Sequence, residues 1–182
     1  MSQLVFATNN VGKFEEMSAV LSIPLERADS NIFEIQSLDA AEVVRHKAHE
    51  AYKLIQKPLI VDDTSLRVTA WNGFPGPFIK HIIDAGGMEL LLTMMRGTDD
   101  RSAEFSTTLG YFDGNQFSFV VGATHGKISE MPRGKKSWGI NEIFIPDGFA
   151  KTYGEMTLDE KNSVSHRGKA ARAFKIMLDT LQ

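Results

Sequence analysis

Residues 59–65 read Leu-Ile-Val-Asp-Asp-Thr-Ser, and the interpretation of the rest of the chain starts from them. The continuous apolar run that opens this stretch is typical of a buried central strand in an α/β sheet. A strand that stops on Asp62 and Asp63 places two carboxylates at the end of the sheet, where open α/β sheets usually bind ligands. Paired carboxylates there can hold Mg²⁺ and activate a water molecule. The alternative is that the two acids only open a turn, where Asp is common.

The whole chain has an ordinary globular size and composition. Its 182 residues fit one domain or two closely packed lobes. With 42% hydrophobic residues and a formal net charge of -3, it shows no bias toward nucleic acid or membrane surfaces. The absence of cysteine excludes disulfides, thiolate catalysis and sulfur-bound zinc. No apolar run approaches the roughly 20 residues that cross a bilayer and no signal-peptide pattern is present, so we expect a soluble, cytoplasmic protein.

The N-terminal segment predicts an anion site. Residues 4–7 read as a short buried strand, and a helix is expected after the polar turn at residues 8–13. The N–H groups of a helix start bind anions, and Lys13 adds a positive charge beside them. Asn10 is also a common helix cap, so its spacing to Lys13 is a weak signal by itself. The Gly-x4-Gly-Lys-Ser/Thr phosphate loop does not occur in the chain.

The following segment contributes an acid and a second lysine. Residues 25–27 and 32–36 read as further strands, with Glu34 exposed between apolar neighbours. Lys47 lies on the next predicted helix, beside its apolar stripe, and could reach toward a cleft. Three potential metal ligands share the polar face of that helix: Glu42, His46 and His49. We favour a solvated face over a metal site there, because nothing fixes the imidazole tautomers.

The middle of the chain predicts a change from helix to strand. Residues 66–70 should continue the central strand, and residues 71–77 contain two Gly and two Pro, which indicates a rigid turn. Residues 78–84 and 88–95 read as short helices, and the first of them carries Lys80.

A β-hairpin is the clearest local prediction. Residues 103–112 and 117–128 are rich in Thr, Phe and Val and flank the turn Asp113-Gly114-Asn115-Gln116. This hairpin is expected to extend the sheet or to form a dimer contact.

The C-terminal third contains an aromatic side chain and a polar array. Trp138 precedes Gly139, which leaves one face of the indole open for stacking. Ser165 is well placed to cap the final helix, so that His166 and Arg167 would project from its positive end.

These separated residues share a chemical theme. The groups that can neutralise a polyphosphate are Asn10, Lys13, Lys47 and Lys80. The carboxylates that can hold a hard cation are Glu34 and Asp63, with Asp62 or Glu42 as further candidates. Polyphosphate, metal and stacked base together indicate a nucleoside triphosphate.

Four stretches of the chain resemble the inosine triphosphate pyrophosphatase family. They are Thr8-x-Asn10-x-x-Lys13, Val-Asp-Asp-Thr-Ser-Leu with Asn-Gly-Phe-Pro-Gly-Pro, Trp-Gly with Ile-Phe-Ile-Pro-Asp-Gly, and Glu-Lys-Asn-Ser-Val-Ser-His-Arg. The resemblance runs from about Leu4 to Arg172. It implies hydrolysis of ITP, dITP and XTP to the monophosphate and pyrophosphate. It also implies an α/β fold in one domain, residues 1–182, with an elongated mixed β-sheet, flanking helices in two lobes and the nucleotide cleft between them. A homodimer through the opposite lobe is implied as well.

The resemblance also implies a role for each site residue. Glu34 and Asp63 would bind Mg²⁺, and Asp63 would orient or deprotonate the attacking water. The residues implied to bind substrate are Thr8, Asn10, Lys13, Lys47, Lys80, Trp138, Gly139, Asn141, Lys161, Ser165, His166 and Arg167. One departure is that the family's Gly-Tyr/Trp-Asp appears here as Gly139-Ile140-Asn141. Asn can donate where Asp only accepts, which affects the ranking of ITP, XTP and dITP.

Two other functions remain open from the sequence. A non-catalytic nucleotide sensor could use the same lysines and stacking ring, although it would not need carboxylates that converge on a metal. A Maf-type (septum-inhibitor) nucleotide pyrophosphatase would share the general plan but act on modified pyrimidine or dTTP-like substrates. A nucleic-acid-binding function is disfavoured, because the basic cluster at residues 133–136 is short and has no interleaved aromatic residues.

Overall fold

The computed structural model describes residues 4–29, 31–135 and 139–180. Its seven strands are β1 (Leu4–Ala7), β2 (Leu25–Ala28), β3 (Leu59–Val68), β4 (Pro75–Gly76), β5 (Ser102–Phe112), β6 (Phe117–Ile128) and β7 (Phe144–Pro146). Its helices are α1 (Val11–Leu21), α2 (Ala40–Ile55), α3 (Ile79–Met94), α4 (Leu158–Val164) and α5 (His166–Thr180). Short 3₁₀ turns lie at Thr69–Trp71 and Tyr153–Glu155.

All seven strands belong to one mixed sheet. The strand order is β2-β1-β3-β5-β6-β7, and β4 pairs with β3. β1 runs parallel to β2 and β3, whereas β5, β6 and β7 continue the sheet with antiparallel pairs. Helices flank the sheet, so the α/β class and the mixed sheet expected from the sequence are confirmed.

Strand β3 is the centre of the sheet, but it does not stop at the acid pair. It continues to Val68 and pairs with β5 along its whole length. On its other side, β1 pairs only with Leu59 and Ile60, and β4 only with Leu66 and Arg67. Within the described residues, the part of β3 from Val61 to Ser65 therefore has a strand neighbour on one side only. The strand therefore does not stop at Asp62 and Asp63, as residues 59–65 alone suggested, because the β5 ladder continues past them, and the continuation predicted after residue 65 is confirmed for residues 66–68.

The core is divided between the two halves of this sheet. One half has a cluster on each face, because successive side chains of a strand point to opposite sides. Phe6 and Ile60 pack with Phe174 of α5, while Val5 and Val61 pack under α2. A third cluster lies at the other end of the sheet and unites β3, β5, β7 and α3; its members include Leu66, Leu91, Met95, Phe105 and Phe144. The described residues therefore form separate core clusters in the two halves of the sheet, and the two lobes that the resemblance implied stay a prediction.

Several local predictions are confirmed. The hairpin forms with strands Ser102–Phe112 and Phe117–Ile128. The second strand forms at Leu25–Ala28. The Ser165 hydroxyl accepts from the Gly168 N–H at 3.1 Å and so caps α5, as expected.

Other local predictions are wrong. Residues 32–36 form no strand, and Phe33 is 82% exposed, because this stretch crosses from β2 to α2 without a ladder partner among the described residues. Of the strand continuation predicted for residues 66–70, residues 69 and 70 belong instead to the 3₁₀ turn Thr69–Trp71. By contrast, the two short helices expected at residues 78–84 and 88–95 are confirmed, because α3 consists of two helical segments that meet at a kink at Gly87, whose φ of 64° is outside the helical range. No helix within the described residues is long and apolar enough to cross a membrane.

Helix α5 packs unusually close to β6, and Gly122 makes this possible. A Cβ built on Gly122 would lie 2.2 Å from both the His166 carbonyl oxygen and the Ala170 amide nitrogen. Both atoms are backbone, so a side chain at this position could be accommodated only by moving the helix.

We therefore expect Gly122→Ala to lower the free energy of unfolding by roughly 1–3 kcal/mol, the usual cost of overpacking. Urea unfolding followed by circular dichroism would measure the effect. Gly12→Ala is the control, because Gly12 lies in α1 and the new Cβ would meet only Asn10 Oδ1 at 3.4 Å. Equal stability of the two variants would contradict the close contact between α5 and β6.

Candidate functional site

A cavity of about 200 Å³ opens where β3 lacks its strand neighbour. The end of β1, the start of α1, the first turns of α3 and the segment after β2 surround it. The residues that line it are Ala7, Thr8, Asn9, Asn10, Lys13, Glu34, Lys47, Asp62, Asp63, Thr64, Ile79, Lys80, Ile83, Phe105, Gly139 and Ile140. Most of the polar groups come from one half of the sheet, whereas the other half supplies Lys80 and an apolar wall of Phe105, Ile79 and Ile83.

The cavity brings together most of the predicted site residues. Those that line it are Thr8, Asn10, Lys13, Glu34, Lys47, Asp63, Lys80 and Gly139. Those that lie outside its lining are Asn141, Lys161, Ser165, His166 and Arg167. Trp138 falls outside the residues that the structure describes.

The turn before α1 is organised by its own side chains. Asn10 Oδ1 accepts from the Lys13 N–H at 3.0 Å, and the Asn10 N–H donates to Thr8 Oγ1 at 3.2 Å. Asn10 is therefore the helix cap that the sequence allowed. The start of α1 faces the cavity with its positive end.

The two adjacent aspartates have different surroundings, because neighbouring residues in a strand point to opposite faces of the sheet. Both oxygens of Asp62 lie 3.0 Å from Lys13 Nζ, and Arg167 Nη2 is 3.4 Å from Asp62 Oδ2. Burial raises the pKa of Asp62, but Lys13, Arg167 and Lys47 outweigh it and lower that pKa to about 2. Asp62 is thus a permanently charged partner of two cations.

Asp63 has weaker protein partners. Among the described contacts, its carboxylate accepts one hydrogen bond, from Ser65 Oγ at 3.4 Å. Burial, with Asp62 and Glu34 nearby, raises the pKa of Asp63 to about 6 despite Lys47 and Lys13. A carboxylate with a pKa near neutrality and free lone pairs is suited to accept a proton or bind a cation.

Lys47 connects the open edge of β3 to the segment after β2. Its Nζ donates to the Asp62 backbone carbonyl at 3.0 Å and forms an ion pair with Glu34. Burial lowers the pKa of Lys47, but the negative charges of Glu34 and Asp62 outweigh burial, so the net shift of this pKa is upward. Lys80, on the opposite wall, is more exposed and pairs with Asp84 one helical turn away.

A buried ionic chain behind the cavity includes a residue that the sequence interpretation missed. Glu16 pairs with Lys161 and accepts from Arg167 Nη1 at 2.7 Å. Arg167 Nη2 also donates to Thr64 Oγ1 at 3.1 Å, while Arg167 Nε has no hydrogen-bond partner among the described residues. The sequence analysis assigned no role to Glu16. Its position one turn after Lys13, on the same side of the helix, was the available signal.

His166 is held beside this chain. Its Nδ1 lies 2.6 Å from Thr107 Oγ1, and its ring centroid lies 3.9 Å from that of Phe105, which lines the cavity. Burial, followed by the charges of Arg167 and Lys161, lowers the pKa of His166 well below its ordinary value. The imidazole is therefore neutral at working pH.

The donor set fits a hard divalent cation. Glu34 and Asp63 line the same cavity and offer carboxylate oxygens, the ligands that Mg²⁺ prefers. The described residues contain no group of three or more His, Cys, Asp or Glu arranged to hold a metal. Mg²⁺ usually takes only one or two protein carboxylates and completes its shell with water and phosphate, so two acids are sufficient.

The raised pKa of Asp63 has a consequence for stability. Because the folded pKa exceeds the unfolded value, Asp63 contributes stability below about pH 4 that is lost as the pH rises through about 6. In chelator, Asp63→Asn should therefore gain stability over wild type between pH 4 and pH 8, by roughly 1–3 kcal/mol. Urea unfolding at both pH values measures the gain, with the exposed Asp179→Asn as control. A difference independent of pH would contradict the raised pKa.

Comparison with known proteins gives a consistent result. The Ham1 family model matches residues 4–177. The chain is 40% identical over 176 residues to a dITP/XTP pyrophosphatase of Saccharolobus solfataricus, covering 95% of this chain and 92% of the relative. It is 39% identical over 184 residues to an inosine triphosphate pyrophosphatase of Scheffersomyces stipitis, covering 93% and 94%. The solved structure of a HAM1 protein from Coxiella burnetii superimposes with a TM-score of 0.85 at 27% identity, over 99% of this chain and 100% of that one. The chain therefore belongs to the Ham1 family.

Proposed function

We propose that this protein hydrolyses the deaminated purine nucleoside triphosphates ITP, dITP and XTP to the monophosphate and pyrophosphate. The main support for the proposal is that three lysines (Lys13, Lys47 and Lys80) and three acids (Glu34, Asp62 and Asp63) line one cavity at the open edge of β3. The names of the 40% and 39% identical relatives support the same substrate class. The cytoplasmic location expected from the sequence stays a prediction.

The cations suit a triphosphate. Lys13, Lys47 and Lys80 approach the cavity from three different elements, and the start of α1 adds its N–H groups. Each lysine is paired with a carboxylate of the protein: Asp62, Glu34 and Asp84. These ion pairs hold the ammonium groups near the cavity. Phosphate oxygens can replace the carboxylates as partners of the ammonium groups, or bind the ammonium groups together with them. Positioning and charge neutralisation are the main requirements of phosphoryl transfer.

Glu34 and Asp63 are the residues that would hold Mg²⁺. When bound, the ion would neutralise charge on the phosphate oxygens and on the departing pyrophosphate. Lys47 keeps the Glu34 carboxylate beside the cavity through their ion pair.

Asp63 is the residue proposed to orient and deprotonate the attacking water. Attack on the α-phosphorus breaks its bond to the bridging oxygen of pyrophosphate, and the proton of the water passes to the carboxylate. Asp63 is better suited to this role than Asp62, because Lys13 and Arg167 already occupy the Asp62 oxygens. Its pKa of about 6 keeps it ionised at neutral pH yet basic enough to accept a proton.

The base is proposed to bind toward Phe105 and Gly139, on the side of the cavity where α5 begins. His166 and Arg167 would supply hydrogen-bond donors to the 6-keto oxygen of the purine. Adenine carries an amino group there, so a donor would face a donor, which disfavours ATP. Stacking by Trp138, contacts from Lys161 and Ser165 and the effect of Asn141 on substrate ranking stay predictions.

A substrate panel tests the function and separates the alternatives. With Mg²⁺ we expect multiple-turnover release of pyrophosphate from ITP and XTP, little from dTTP or ATP, and a loss of most turnover in Asp63→Asn. Asp179→Asn is the matched control, since it removes an exposed carboxylate from α5. Preference for dTTP would favour the Maf-type alternative, and ITP binding without pyrophosphate release would favour a sensor. Near wild-type turnover of Asp63→Asn would exclude Asp63 as the base.

We also propose that the protein is a homodimer. The hairpin exposes apolar side chains on one face of β6: Phe119 is 42% exposed and Val121 is 52% exposed, beside the half-buried Phe117. Over the described residues, β6 has a strand neighbour beyond β5 only at Gly126–Ile128, so most of its edge is open. Open apolar edges of this kind are usually covered.

Light scattering coupled to gel filtration would measure the mass. We expect a dimer for wild type and a shift toward monomer for Val121→Lys, which places a charge on the exposed face. Ile176→Lys is the control, because Ile176 is 68% exposed on α5, away from the hairpin edge. A monomeric wild type would contradict this proposal and leave the proposed reaction intact.

A further inference from the structure

Three neighbouring strands place a row of small and hydroxyl side chains under the first turn of α5. Thr64 of β3 lies directly opposite Thr107 of β5, and Thr107 lies directly opposite Gly122 of β6. Residues directly opposite each other in adjacent strands share a face of the sheet. Gly122 admits the α5 backbone, while the two threonines contact the first two side chains of that helix, His166 and Arg167.

This row leaves the His166 ring little freedom. Thr107 is fully buried and His166 is 2% exposed, and the distance from Thr107 Oγ1 to His166 Nδ1 is 2.6 Å. Phe105, also on β5, packs against the ring with a centroid distance of 3.9 Å. The hydrogen bond from Thr107 therefore restricts the rotation of the His166 ring, and the contact with Phe105 restricts its plane.

The same hydrogen bond selects the tautomer. A buried hydroxyl needs an acceptor for its proton, and His166 Nδ1 is the side-chain partner that the structure gives Thr107 Oγ1 within the described residues. A neutral imidazole has one acceptor nitrogen and one N–H. If Nδ1 accepts from Thr107, the proton of the ring must be on Nε2.

We propose that Thr107 is a specificity-determining positioning residue, which donates to His166 Nδ1 and so holds His166 as an Nε2–H donor for a 6-keto purine. This inference rests on the proposed function, because it assigns a cause to the preference for hypoxanthine and xanthine over adenine. Thr64 positions Arg167 in the same way: its Oγ1 accepts a hydrogen bond from Arg167 Nη2 at 3.1 Å. The cross-strand threonine pair thus contacts both of the side chains that are proposed to donate to the base.

Two substitutions of Thr107 separate the hydroxyl from its volume. Thr107→Val keeps the branched shape and removes the donor, whereas Thr107→Ser keeps the donor. We expect Thr107→Val to lower kcat/KM for ITP by about tenfold, as for loss of one hydrogen bond, with ATP little changed and Thr107→Ser close to wild type. Purine riboside triphosphate, which has no 6-keto oxygen, should be hydrolysed equally by all three proteins. An unchanged ITP-to-ATP ratio in Thr107→Val, or equal losses on all three substrates, would overturn the proposal.

The tautomer can be read without any turnover. In ¹⁵N-labelled wild-type protein we expect ring nitrogen shifts of His166 that report Nε2–H and an accepting Nδ1, and the same pattern in Thr107→Ser. A wild-type spectrum of the Nδ1–H form would overturn the proposal even if ITP is the substrate. Conversely, absence of ITP hydrolysis by wild type would contradict the proposed function and with it the role of Thr107 in specificity. The spectrum would still decide whether Thr107 sets the tautomer of His166.

Discussion

The site depends on an interruption in the pairing of one strand. β5 accompanies β3 over its full length, whereas β1 and β4 contact the other side only at its two ends and leave Val61 to Ser65 open among the described residues. An unpaired backbone edge inside a protein must be satisfied by other groups. Lys47 supplies one such group by donating to the Asp62 carbonyl. The cavity therefore exists because the sheet is incomplete at this place, and the unpaired backbone of β3 itself holds Lys47 beside it.

Because side chains alternate along a strand, Asp62 and Asp63 have different surroundings although they are chemically identical. Asp62 lies beside Lys13 of α1 and Arg167 of α5, which compensate its charge, whereas Asp63 is half-buried near Lys47 and Glu34. The result is one acid with a pKa of about 2 and another with a pKa of about 6, on consecutive residues. Environments that separate the pKa values of neighbouring acids are a usual feature of hydrolytic sites. The acid that stays charged organises cations, and the other remains available for chemistry.

The end of the cavity next to α5, where the base is proposed to bind, depends on close packing. Gly122 lets the first turn of α5 rest directly on the sheet, and the hydroxyls of Thr64 and Thr107 meet the side chains of that turn. Glu16 joins the same assembly through Arg167 and Lys161, so the ionic chain that starts at Lys13 continues to α5. A rigid array of this kind reduces the ordering cost of binding, because its donors are already in place.

Local patterns in the sequence were sufficient for the class of the fold, the hairpin, the cap of α5 and the residue types that meet at the cavity, because these depend on apolar periodicity and on short motifs. They were insufficient to show that residues 32–36 form no strand, that β3 extends to Val68 and that Glu16 is buried in an ionic chain. Those features depend on which strand pairs with which and on which charges lie across the fold, and neither is encoded within a short window. Asp62 and Asp63 look alike in the chain; only the packing of α1, α2 and α5 around β3 makes one an ion-pair partner and the other a candidate base, since burial and neighbouring charge set the free energy of ionisation.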